Sequence, residues 1–171
     1  MISESQTFIW RPLPLPIERS IGACLDSWLH TPYMEGQQSK GIAVDCVQLI
    51  GAFLDWMYRK QERTFIPRLR ADSAQHSARA AFRTIKVLRS AYPTFVVRDD
   101  SIEPGDIVLV RAQGNDDSPR RPGHALIAGP GHPGTAYHAD GHGGCVCRTS
   151  LAATTGILRV YRPKEKHTWV C

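Results

Sequence analysis

The chain has 171 residues, 42% of them hydrophobic and 22% charged, with 21 Lys plus Arg against 16 Asp plus Glu and a formal charge of +5. Those proportions suit one globular domain with short tails and exclude a disordered or fibrous chain. The positive balance favours anionic partners in general, nucleic acid, anionic lipid and cell-wall polymer alike, so its sign does not choose among them. The five cysteines (Cys24, Cys46, Cys145, Cys147 and Cys171) are odd in number and unevenly spaced. That makes a poor disulfide framework and fits a reduced site of synthesis. The first residues, MISESQTFIW, lack the basic start and apolar run of a secretory signal, and no stretch approaches the roughly 18 consecutive apolar residues of a spanning helix. The expectation is a protein made in the cytoplasm, with no signal peptide and no membrane span.

In chain order, residues 1–16 read as an extended lead-in, because the alternating prolines of RPLPLP remove backbone donors. A short helix fits 17–30, with Ile21, Leu25 and Trp28 at helical spacing. TPYMEGQQSKGIAV, at 31–44, is polar and glycine-containing and reads as a loop. Asp45 then precedes a strongly amphipathic helix, CVQLIGAFLDWMYRK, with Val47, Ile50, Phe53, Leu54 and Met57 on one face. Asp45 suits the N-cap, and Gln48 three residues later completes a capping-box pattern. The stretch 61–100 reads as an insert carrying a basic helix at 73–90, whose Arg79, Arg83, Lys86 and Arg89 form a solvated face. The remainder reads as five short strands: DIVLVRA after the EPGD turn, GHALIAG at 123–129, TAYHAD at 135–140, CVCRTSL, and ILRVYRP at 157–163. Short turns between them imply an antiparallel meander, and helices followed by strands imply an α+β fold of N-terminal helices packed on a sheet of about five strands. Residues 17–163 form a single domain on this reading, and 164–171 a C-terminal tail.

Cys46 stands at the first turn of the best-defined helix. Unpaired N–H groups and the positive helix end favour a thiolate there, and the same N–H groups could serve an oxyanion. A small buried apolar residue would fit the position equally well. A nucleophilic thiol needs a base and the base needs an orienting partner. His124 opens an apolar strand, and His138 lies in the next strand across a short turn, so a hairpin can set the two side by side.

These segments resemble the NlpC-type cell-wall peptidases, a papain-like family. TPYMEGQQSKGIAVDCVQLIGAFL resembles the family's nucleophile segment, EPGDIVLV its Pro-Gly-Asp strand start, GHALIAG its base-bearing strand, AYHAD the strand with its third catalytic histidine, and ILRVYRP its closing strand. The match spans 31–163 apart from 61–100, runs in the order Cys, His, His, and is nearest to versions associated with phage tails. The resemblance implies a papain-like α+β fold and a cysteine endopeptidase or amidase that hydrolyses amide bonds in peptidoglycan stem peptides without a cofactor. It implies that Cys46 attacks the carbonyl, that His124 moves the proton, and that His138 holds the His124 ring. It further implies that the Tyr33 hydroxyl faces the nucleophile and that Asp45 takes the place of the family aspartate, although capping alone would explain that residue. Val47 and Gln48 replace the usual Ser-Gly, which removes a substrate-binding serine. Delivery to the wall by a phage particle or a secretion machine follows from the expected lack of a signal.

Three alternatives stay open on the sequence. His132, His138, His142, Cys145 and Cys147 crowd into a glycine-rich stretch and could hold structural zinc, although Cys-x-Cys on one strand face also suits two small apolar residues. A non-catalytic binding module could use the same scaffold. A thiol-dependent deamidase or acyltransferase on a protein or lipid substrate would need the same triad. A nucleic-acid partner is not expected, because the basic residues are scattered without interleaved aromatics.

Overall fold

A computed structural model describes residues 8–58, 95–98, 100–111, 122–131, 134–154 and 156–163. Helix α1 covers Leu15–Asp26, two residues earlier at its start than the spacing predicts and four earlier at its end. Proline explains the start: Pro14 takes the N-cap place and Pro16 the first turn, where no backbone donor is needed and a fixed φ is already helical. Glu18 reaches back to accept the Leu13 N–H at 2.8 Å. The helix closes on Ser27 as its C-cap, and four residues past its end His30 turns left-handed at φ 65 and gives its N–H to Val146 O at 2.9 Å. Helix α2, Cys46–Met57, begins where the cap and the periodicity predict.

The main sheet has six strands in the order β4-β10-β6-β7-β8-β9. These are β4 (Phe95–Arg98), β6 (Ile107–Arg111), β7 (Pro122–Gly129), β8 (Thr135–Asp140), β9 (Cys145–Ser150) and β10 (Ile157–Pro163). All its pairings are antiparallel. The expected meander holds from β6 to β9. β10 then returns to the far side of β6 and takes β4 as its outer neighbour, a sixth strand inside the stretch read as an insert. Part of the lead-in is also structured, since β1 (Ile9–Trp10) runs parallel to β5 (Ser101–Ile102). A small hairpin, β2 (Gln38–Ser39) and β3 (Ala43–Val44), precedes α2. The helix expected at 73–90 and the tail at 164–171 lie outside the described residues. Among the described residues no helix is long and apolar enough to cross a membrane.

Strand alternation divides the apolar side chains between two cores. Leu109, Ala125, Ile127, Tyr137 and Ala139 join Ile17, Ile21 and Leu25 of α1 and Leu49, Phe53 and Leu54 of α2. Val108, Leu126, Ala128, Ala136 and Val160 form the second core with Ile102 and Leu151. Each fully buried Leu or Ile contributes about 1.5–3 kcal/mol, so the first core anchors both helices to the sheet.

One buried charge pair fixes the chain around β5 and β6. The Arg162 guanidinium on β10 donates to both oxygens of Asp106 at 2.8–3.2 Å, and its third nitrogen meets Glu103 at 2.9 Å. Asp106 is wholly buried and also accepts the Glu103 N–H at 2.8 Å. Removing one partner strands the other in the interior. Asp106→Ala is therefore expected to lower stability by about 3–5 kcal/mol in urea unfolding, far more than an exposed ion pair would cost.

Candidate active site

Asp45 starts the site from the backbone outward. Its extended conformation and fully buried carboxylate let Oδ1 accept the N–H groups of Val47 at 2.9 Å and Gln48 at 2.8 Å. Oδ2 accepts the Gly36 N–H at 2.6 Å, which ties the preceding loop to the helix. The capping role read from the sequence is thus present and extended. It also narrows the expectation for an oxyanion: two of the helix-start N–H groups, those of Val47 and Gln48, already serve Asp45. Cys46, half-buried, is the first residue of α2.

The segment 30–34 stitches this helix start to the sheet. On one side the His30 and Tyr33 N–H groups bond Val146 O and Gly144 O, and the Val146 N–H bonds Thr31 O. On the other, Val44 N–H bonds Pro32 O and Met34 N–H bonds Val44 O. Val44 is two residues before Cys46, so β9 and the nucleophile candidate share one continuous run of backbone hydrogen bonds. Tyr33 is carried on that segment, and its ring lies against Gly141, just past β8: a Cβ there would meet the ring at 3.4 Å.

The two histidines meet at the parting of β7 and β8. The paired positions run from Gly129↔Thr135 to Ile127↔Tyr137 and stop. Continued, that register sets His124 opposite Asp140 and Leu126 opposite His138, so the imidazoles approach on the diagonal, a distance long side chains can span. His124 Nε2 lies 2.9 Å from His138 Nδ1, with ring centroids 4.9 Å apart and planes at 80°. The bond uses Nε2 of His124 and leaves its Nδ1 for another partner. Both histidines alternate with Ala125, Ile127, Tyr137 and Ala139, which face the helices, so strand alternation puts them on the side of Val110, Leu126 and Ala136. Helix α2 packs on both strands.

Electrostatics keep the pair neutral at pH 7. Burial lowers His124 to about 4, the neighbouring His138 lowers it further, and the Asp140 carboxylate opposes both. Burial also lowers His138, again against Asp140. At Asp140 partial burial is outweighed by the N–H groups of His142 and Gly143 and by the two histidines, so its pKa falls. A neutral imidazole can accept a proton, which an imidazolium cannot. Burial pushes the Cys24 thiol up to about 12, so it offers no thiolate near neutrality.

A further residue belongs to the cluster. Cys147 Sγ lies 3.3 Å from His138 Nε2. The sequence offered this cysteine as a small strand residue or a zinc ligand, but hairpin arithmetic could have found the contact. A four-residue turn, GHGG, pairs Asp140 with Cys145 and therefore His138 with Cys147. Among the described residues no group of three or more His, Cys, Asp or Glu is placed to hold a metal ion; His132 lies outside them.

Neither a protein-family model nor a curated protein matches this sequence. Solved structures do. NlpC1 of Trichomonas vaginalis is 18% identical with a TM-score of 0.53, over 86% of this chain and 44% of that one. NlpC2 of the same organism is 14% identical with a TM-score of 0.58, over 86% and 46%. A protein of the NLP/P60 family from Staphylococcus aureus subsp. aureus Mu50, similar to lipoprotein, is 15% identical with a TM-score of 0.51, over 90% and 43%. The chain spans less than half the length of each. At these identities the likeness is one of fold, the α+β papain-like arrangement expected from the sequence.

The lowered His124 pKa predicts an acid-sensitive fold. The unfolded imidazole takes up its proton below about 6.5, whereas the native one does so only near 4. Between those values the unfolded state binds more protons, so stability falls as the pH falls. Urea unfolding at pH 7.5 and pH 4.5 should show a loss about 2 kcal/mol smaller in His124→Gln than in the wild type, after allowance for the ring's partial exposure.

Proposed function

We propose that the protein is a cysteine peptidase or amidase of the NlpC type, acting through an acyl-enzyme on Cys46. The observation that carries the reading is the His124 Nε2–His138 Nδ1 hydrogen bond, on the two strands against which the helix of Cys46 packs. It leaves His124 Nδ1 to receive the thiol proton. The sulfur then attacks the amide carbonyl, and His124 returns the proton to the leaving amine as the C–N bond breaks. Water, deprotonated by His124, cleaves the thioester and releases the acid. His138 holds the base in register, and the Tyr33 hydroxyl, on the segment that leads to Cys46, is the candidate oxyanion donor. Asp45 acts through the helix start rather than on the substrate. The mechanism requires the thiol to reach the imidazole pair where β7 and β8 part.

The substrate proposed is the peptidoglycan stem peptide, in keeping with the family resemblance of the motifs, with delivery to the wall by a phage particle or secretion machine. A second reading, deamidation or acyl transfer on a protein or lipid substrate, draws on one observation. Val47 and Gln48, at the place of the substrate-binding Ser-Gly, are 5% and 0% exposed, so neither side chain is presented to a ligand. Met34 and Ile42, on the loop before Cys46, are instead exposed and apolar.

Purified protein incubated with peptidoglycan and with isolated stem peptides should yield new fragments by mass spectrometry, and Cys46→Ala should yield none. Iodoacetamide should label Cys46 at pH 7 at least about a hundredfold faster than in His124→Ala, the lower end expected for loss of a general base. Fast labelling without fragments would move the substrate to the second reading. Labelling indifferent to His124 would sink the thiol mechanism.

A further inference from the structure

The catalytic reading uses His138 through its Nδ1 and leaves its Nε2 pointing at a group no motif assigns. That group is the Cys147 sulfur, 3.3 Å away. The backbone holds the contact in place, since His138 and Cys147 are directly paired on β8 and β9 and β9 is bonded on its other side to 30–33.

Proton counting gives the contact a function. A neutral imidazole carries one N–H, on one nitrogen or the other. For His124 to take a thiol proton on Nδ1, its own proton must sit on Nε2, facing His138 Nδ1 at 2.9 Å. His138 Nδ1 must then be the acceptor, so the His138 proton sits on Nε2, directed at Cys147. Reversing the chain reverses the outcome. If the Cys147 S–H donates to His138 Nε2, the His138 proton moves to Nδ1, is donated to His124 Nε2, and leaves the His124 proton on Nδ1. In that arrangement His124 cannot act as a base. Of the two directions in which the hydrogen bonds can run, only one supports catalysis.

We propose that Cys147 is a positioning residue of this site, whose sulfur accepts the Nε2–H of His138 and so fixes the tautomer of both histidines that leaves His124 Nδ1 open to the nucleophile. The proposal rests on the catalytic reading of Cys46 and His124. Once His124 is protonated it donates from both nitrogens, and the polarisable sulfur at the end of the chain continues to accept from His138. Cys147 is poorly suited to attack a carbonyl itself. It sits within a strand without a helix N-terminus, and burial, the Asp140 carboxylate and Cys145 all raise its pKa, so it stays a thiol at neutral pH.

The test compares Cys147→Val, which keeps the volume and removes the acceptor, with Cys147→Ser, which keeps an acceptor. Two readouts are taken on the full chain at pH 7: the imidazole 15N spectrum, and the rate of Cys46 alkylation by iodoacetamide, with labelled peptides identified by mass spectrometry. The wild type should show His138 protonated on Nε2. Cys147→Val should mix the two tautomers and slow Cys46 alkylation by about twofold or more, in proportion to the lost competent tautomer, and Cys147→Ser should retain both wild-type readouts. Cys147→Ala should behave as the valine variant does, which covers the case in which valine disturbs the β8–β9 pairing. Unchanged readouts in the valine and alanine variants would overturn the proposal. So would a serine variant as impaired as valine, the mark of a packing role, or labelling of Cys147 ahead of Cys46. If His124→Ala leaves Cys46 alkylation unchanged, the catalytic reading itself fails and the positioning role falls with it. If His124→Ala slows alkylation and Cys147→Val does not, the positioning role alone fails.

Discussion

A carboxylate withdrawn from water is costly unless its oxygens are filled with donors, and Asp45 fills them with three backbone N–H groups. Two come from the helix that follows and one from the loop that precedes. The same side chain therefore decides where α2 begins and where the loop folds back. Cys46 lies between these anchored points, so its Cα has little freedom of its own. Any chemistry done by its thiol inherits its geometry from this buried group.

The sheet supplies the other half of the constraint. Segment 30–34 is not a regular strand, yet it bonds β9 on one side and Val44 on the other, and so carries the hydrogen-bond network from β8 and β9 to the mouth of α2. Tyr33, His138 and Cys147 all hang from that network. His124 hangs from β7, beyond the last pair that joins β7 to β8. The two imidazoles thus bridge a place where the ladder has ended, and their hydrogen bond ties the strands where backbone pairing no longer does.

Much of this was legible in the sequence, for reasons that differ by element. Helix α2 announced itself because a capping side chain and an apolar face agreed. The strand set from β6 onward was legible because Gly- and Pro-bearing turns separate alternating runs. The bounds of α1 shifted because proline was read as a barrier to helix, whereas in a first turn it is compatible. β4 was missed because its partner, β10, is remote in sequence, and local pattern carries no information on such pairing. The pairing of His124 with His138 was anticipated from the hairpin. Cys147 was not, because its meaning depends on a register that only the length of the GHGG turn specifies. Two of the helix-start N–H groups offered to an oxyanion, those of Val47 and Gln48, are held instead by the neighbouring aspartate, a competition that position alone does not reveal.

The place of β10 has a consequence for how the molecule is made. The last of the described strands lies inside the sheet, between β4 and β6, and carries the arginine that neutralises Asp106. While residues 157–163 are still within the ribosome, β6 has an open edge, β4 has no partner, and a buried aspartate lacks its counter-charge. Helix α2 and the β7–β9 hairpins can form by local contacts well before that moment, but the sheet beneath them closes only when the closing strand emerges. A nascent chain therefore carries every residue of the candidate site before β10 completes the scaffold beneath them.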